Sequence, residues 1–136
     1  MFGKLLLTLD CLALVLGAPM ADYNHTHIFN PNWPAHAKFH CGQTITLSIC
    51  LGLITLFLTH RPDLPKGPAA RDRRRDSLRL AAFTGSIYWL CGLAGYFFPG
   101  ADGLDVEFGG PGFPQRNGFA AAAAVALVGG VVEGWM

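Results

Sequence analysis

The sequence predicts an all-α protein, a four-transmembrane-helix bundle with both termini cytoplasmic. Three observations point there. Hydrophobic residues make up 51% of the 136 residues and charged ones only 14%, against about 25% in an ordinary soluble domain. The charges are bunched, which leaves four long stretches almost free of them. Seven of the ten Lys and Arg residues (Arg61, Lys66, Arg71, Arg73, Arg74, Arg75 and Arg79) fall in one connection between two apolar runs, the pattern of a cytoplasmic loop. Length predicts a single domain.

The first span covers about 4–20. It is short beside the roughly 20 residues that usually cross a bilayer, and Asp10 interrupts it. A cleaved signal peptide is its rival. Asp10 in the apolar stretch and Pro19 directly after Ala18 argue for an uncleaved helix instead. The second span covers 42–59, with Thr and Ser among its apolar residues, and the third 78–98, with Tyr88 and Trp89 inside it. The fourth, 118–136, repeats Ala122, Ala126, Gly130 and Gly134 every four residues. Such a stripe lets helix backbones approach closely, and Gly85, Gly92 and Gly95 offer the same in the third span.

Orientation follows from the basic loop 60–77. Placing it in the cytoplasm puts eight of the ten basic residues inside, with only Lys38 and Arg116 outside. The loops 21–41 and 99–117 then share the opposite, lumenal face. No stacking aromatics are interleaved with the arginines, so no nucleic-acid partner is expected. The expected partners are membrane lipids, a lipophilic small molecule and other membrane enzymes. Cys11, Cys41, Cys50 and Cys91 show no CxxC or zinc-finger spacing and read as buried thiols.

Four of the five histidines lie in the segment from Asp22 to His40. Pro31 and Pro34 oppose a helix between His27 and Trp33. Pro34 suits a first helical turn, from which a helix runs into the second span and carries His36 and His40 four residues apart on one face. Two such imidazoles suit acid–base catalysis or a metal, with His25, His27 and Asp22 as further ligands or bases and zinc or non-haem iron as the candidate ion. The ordinary alternative is a set of polar groups satisfying one another at the membrane interface, where Trp and Tyr are common. Asn24-His25-Thr26 matches a glycosylation sequon, set too close to the expected membrane edge to favour a glycan. Asp10 within a span is either functional or clasped by a neighbour such as Thr55. Glu133 is expected near water.

The run Ala21-Asp22-Tyr23-Asn24-His25-Thr26-His27-Ile28-Phe29-Asn30-Pro31-Asn32-Trp33-Pro34-Ala35-His36-Ala37-Lys38-Phe39-His40, followed by Gly42-Gln43-Thr44, resembles the hallmark of a family of small four-helix membrane proteins. That family is mainly fungal, has bacterial relatives and is catalogued as a domain of unknown function. Gly85-Ser86-Ile87-Tyr88-Trp89, Phe98-Pro99-Gly100, Glu107-Phe108-Gly109 and Gly112-Phe113-Pro114-Gln115 resemble its second half, and the resemblance spans about residues 4 to 130. Tyr23 stands where the family pattern has Trp. An acetyltransferase label on some members finds no acyl-CoA motif here. A looser similarity, to anthrone-oxygenase-like and DoxX-like four-helix proteins, is one of fold alone.

The function expected is that of a small endomembrane enzyme, in the endoplasmic reticulum or a related membrane, acting on a lipophilic metabolite, with secondary metabolism as its setting. The reaction is an isomerisation, cyclisation or dehydration, or an oxidation if metal is bound. His36, His40, Asp22, His25 and His27 are the candidate catalytic residues, with His36 and His40 also the candidate metal ligands. Asn30, Asn32, Trp33 and Glu107 are the candidate substrate contacts. The rival is a non-catalytic lipid or sterol binder, carrier or scaffold.

Overall fold

A computed structural model describes residues 1–62 and 67–134. Outside the described residues lie Lys66 of the basic run, the last two positions of the fourth expected span, and the surroundings of Gly134 in the small-residue stripe. Among the described residues there are four α-helices and no strand: α1 Phe2–Asp22, α2 Ala35–His60, α3 Pro68–Gly95 and α4 Arg116–Gly134. α1 and α2 are each long and apolar enough to cross a membrane.

α2 begins directly after Pro34, whose extended backbone caps the helix. α3 starts ten residues before its apolar run. Pro68 in the first turn fixes a helical φ where no N–H is needed, and the Ala and Arg residues after it are good helix formers. Arg71, Arg73, Arg74 and Arg75 therefore ride on helix rather than loop.

The helices alternate in direction around a square. α1 packs against α2 and α4, and α3 against the same two, with α1 and α3 approaching across one diagonal. At one end the N-terminal amine of Met1 pairs with Glu133, which also faces Arg74 at 3.8 Å. Thr8 Oγ1 and His60 Nε2 meet there at 2.8 Å, and Arg61 donates to the carbonyl of Arg73 at 3.0 Å. The loops before α2 and before α4 meet at the other end.

The packing leaves large apolar side chains on the outside while polar ones share the inside with the apolar core. On α1 the inward face carries Gly3, Leu7, Asp10, Cys11, Leu14 and Ala18. The outward face carries Leu5, Leu9, Leu12 and Leu16, each about half exposed. On α2, Ser48, Gly52, Thr55 and Thr59 point inward while Leu47, Leu53, Ile54 and Phe57 point out. Water would favour the reverse.

Two apolar clusters, Leu7 with Leu58, Leu78, Ala81 and Ala82, and Leu14 with Trp89 and Ala123, flank a polar middle. There Trp89 Nε1 donates to Asp10 Oδ1 at 2.8 Å, and Thr55 and Thr84 pair their hydroxyls at 2.7 Å. The clasp on Asp10 therefore comes from Trp89 and not from Thr55. Ser48 and Ser77 donate across the helix interfaces to the carbonyls of Leu14 and Leu58. Small residues set the approach of the helices: a methyl group at Gly85 would strike Asp10, one at Gly130 would strike Ala82, and one at Gly92 would strike the ring of Phe119. Gly95 faces open space, so it plays no such part.

Candidate functional site

The loop end is assembled from two segments. The first, after α1, folds on its own side chains. Asn24 Nδ2 donates to the carbonyl of Ala21 at 2.6 Å and closes the end of α1, while Asn24 Oδ1 accepts from both the backbone and the hydroxyl of Thr26. The sequon is thus spent on shaping the turn. The segment before α4 is held by Asp102, whose Oδ1 accepts from the backbone N–H groups of Gly103 and Gly112. Tyr96 stacks on Phe113 with ring centroids 4.6 Å apart. Gly109, at φ 99°, ends the 3-10 turn Val106–Phe108 in a conformation that only glycine adopts freely.

The two loops are latched together. Asn30 is buried to 1% exposure. Its amide donates to Glu107 Oε1 at 2.5 Å, and Asn32 donates to Glu107 Oε2 at 2.8 Å. Trp33 Nε1 donates to Asp105 Oδ2 at 2.9 Å. One carboxylate thus takes two side-chain amides, and a second takes the indole. Asn30, Asn32 and Glu107, expected to touch substrate, have their polar atoms directed at one another. Burying the Asn30 amide requires such an acceptor. Asp105 was not anticipated; the signal available was Trp33 itself, whose indole N–H needs a partner when partly covered.

Next to the latch lies an open groove of about 320 Å³ lined by Asp22, His27, Trp33, Ala37, His40, Cys41 and Thr44. It brings together three of the five expected catalytic residues. His27 Nε2 stands 3.7 Å from Asp22 Oδ1. Its other nitrogen, Nδ1, is 2.6 Å from Thr26 Oγ1. The Thr26 hydroxyl proton goes to Asn24, so Nδ1 carries the imidazole proton and donates to Oγ1. Nε2 then presents its lone pair beside Asp22. The ring of His27 meets that of Trp33 edge-on, centroids 4.8 Å apart, which fixes its plane. Asp22 lies past the apolar stretch of α1; burial raises its carboxyl above the ordinary value, and His27 pulls it back.

The other two expected residues fall elsewhere. His36 is outside the groove, stacked on Phe39, with its Nε2 3.0 Å from His40 Nε2. His25 sits against Phe108 of the facing loop. Gln43 Oε1 is 3.2 Å from His40 Nδ1. Among the described residues no three His, Cys, Asp or Glu side chains converge as metal ligands. A catalytic zinc site takes three protein ligands and a non-haem iron site a facial triad, so the His36–His40 pair falls short of either.

A family model matches residues 6–133. The chain belongs to the family of unknown function DUF6640. The match takes in all four helices, the latch and the groove. No curated protein and no solved structure matches the chain.

Proposed function

We propose that this DUF6640 chain is a multi-pass membrane protein, crossing four times with both termini and the arginine-rich end cytoplasmic. We further propose that it catalyses a proton transfer on a lipophilic metabolite at the groove of its lumenal end. The membrane reading is supported by the half-exposed leucine faces of α1 and α2, set against an interior that also holds Asp10, Ser48, Thr55 and Thr59. Its setting on this reading is an endomembrane such as the endoplasmic reticulum, with the charge asymmetry fixing orientation.

One observation carries the chemical reading: an imidazole held by Thr26 and Trp33, with its free nitrogen facing the groove beside a carboxylate. In this arrangement His27 Nε2 takes the proton as general base. Asp22 stabilises the imidazolium that forms, and His27 returns the same proton to a second position on the product. Asn30, Asn32 and Glu107 act by fixing the loop that carries His27. The groove opens where the apolar faces of α1 and α2 end, so a lipophilic substrate enters from the bilayer and presents its polar group. Isomerisation, cyclisation and dehydration all fit this chemistry. It rests on His27 and Asp22 rather than on the His36–His40 pair. Association with enzymes that make or consume the metabolite would suit so small a protein.

Metabolite profiles of cells carrying wild type, His27→Gln and Asp22→Asn test the reading. The expected outcome is loss of one lipophilic product and accumulation of its precursor, with membrane protein level unchanged. Unaltered profiles with folded variants would leave the lipid- or sterol-binding alternative in place and end the enzyme reading.

A further inference from the structure

The opposite end of the bundle carries a second polar site that no part of the catalytic reading uses. Between the starts of α1 and α3 and the end of α2 lies a niche lined by Lys4, Thr59, Arg61, Arg73, Arg74 and Ser77, among others. The niche holds only about 10 Å³, room for one water, so any larger ligand sits at its mouth. The hydroxyls at the floor are already committed: Thr59 donates to the carbonyl of Thr55 and Ser77 to that of Leu58. What remains for a ligand is cationic.

The cations are not arranged at random. Arg61 donates through Nη2 to the backbone carbonyl of Arg73, which pins one edge of its guanidinium and leaves its other N–H groups free to donate. Arg74 is drawn to Glu133. Among the described residues Lys4 and Arg73 form no ion pair. A partly preorganised guanidinium beside an arginine and a lysine matches a phosphate, for which charge-assisted bonds are short and strong. Basic pockets between membrane helices on the cytoplasmic side meet anionic lipid headgroups there.

We infer that this niche binds the phosphate of an anionic phospholipid in the cytoplasmic leaflet, with Arg61, Arg73 and Lys4 as its donors. The inference rests on the four-span reading, and it goes beyond a topogenic role for the arginines. Orientation by positive charge counts residues wherever they project, whereas a site distinguishes the niche from the neighbouring surface. Arg71 and Arg75 are exposed on the same turns of α3 but do not line the niche.

Two double variants remove equal charge: Arg61→Gln with Arg73→Gln, and Arg71→Gln with Arg75→Gln. Each is purified as the full chain in a neutral detergent, checked for helix content, and examined by native mass spectrometry with phosphatidic acid or phosphatidylcholine. Wild type is expected to retain one phosphatidic acid at least tenfold better than phosphatidylcholine. The niche pair should lose that preference, and the surface pair should keep it to within about threefold. Equal loss in both pairs, or no preference in wild type, overturns the inference. So does displacement by inorganic phosphate at concentrations near those of the lipid, which marks a free-phosphate site instead. Extraction of native membranes at alkaline pH separates the two failures: a chain that stays in the pellet yet shows no preference removes only the lipid site. A chain that is released removes the membrane reading as well.

Discussion

Asp10 is 2% exposed, and among the described residues only one of its oxygens has a hydrogen-bond partner: Oδ1 is held by Trp89, while Oδ2 abuts Gly85 without one. Position and cost of this carboxyl were readable in the sequence, since an acid inside an apolar run must be paired. Its partner was not, because Trp89 lies 79 residues away and helical periodicity says nothing about which faces of different helices meet. The arrangement makes Trp89→Phe a direct probe. Removing the donor from a buried carboxyl should cost about 1–3 kcal/mol, seen as a lower thermal midpoint in detergent. Gly85→Ala pushes a methyl into Oδ2 and should cost a similar amount, about 1–3 kcal/mol by overpacking. Much of that cost should vanish in an Asp10→Ala background, because the two groups share one space. Additive effects of Gly85→Ala and Asp10→Ala would show that the contact does not govern the packing.

The latch between the loops is the element that holds the groove in shape. Glu107→Ala strips the acceptor from the buried Asn30 amide and should cost about 1–3 kcal/mol. Hydrogen exchange should rise across 24–34 and 104–110 and stay unchanged around Arg61 and Arg73 at the far end. Uniform protection at both ends would mean that Glu107 does not hold the loops. The helices themselves were largely legible, since long apolar runs leave few alternatives in a chain this short. The start of α3 was not, because the expectation followed hydropathy and its first ten residues are polar; Pro68 and the Ala-Arg composition were the overlooked signal. Among site residues, Glu107 opposite the histidine segment could be anticipated from its place in the facing loop. That His27, rather than the His36–His40 pair, meets Asp22 depends on the turn built by Asn24 and Thr26, which no spacing rule for histidines reveals. His27→Gln with Thr26→Val provides the functional counterpart. If Thr26 sets the His27 tautomer, Thr26→Val alone should lower turnover about 10-fold, less than the roughly 100- to 10,000-fold that a positioned acid–base group itself contributes, with product formation per folded protein as the readout.

Across the whole molecule, charge and polarity are segregated along two directions. Radially, Leu5, Leu9, Leu12, Leu16, Leu47 and Leu53 face out while Asp10, Ser48, Thr55 and Thr59 join the buried leucines inside; axially, arginines gather at one end and the histidine groove with its two latched loops at the other. On the proposed four-span topology a bilayer would account for both, with lipid against the apolar faces and the positive-inside rule fixing the basic end. The chemical and lipid-binding proposals both require the groove to lie on the far side of the membrane from the arginines. Cys41 lines the groove but is only 7% exposed, so labelling should use introduced thiols. Ala69→Cys at the arginine end and Ala101→Cys at the loop end, both at exposed positions, are placed singly in a background whose four native cysteines are replaced. In sealed vesicles with the cytoplasmic face outward, an impermeant maleimide should label Cys introduced at 69 at once and Cys introduced at 101 only after the membrane is opened. Labelling of both positions from the same side would contradict the four-span topology.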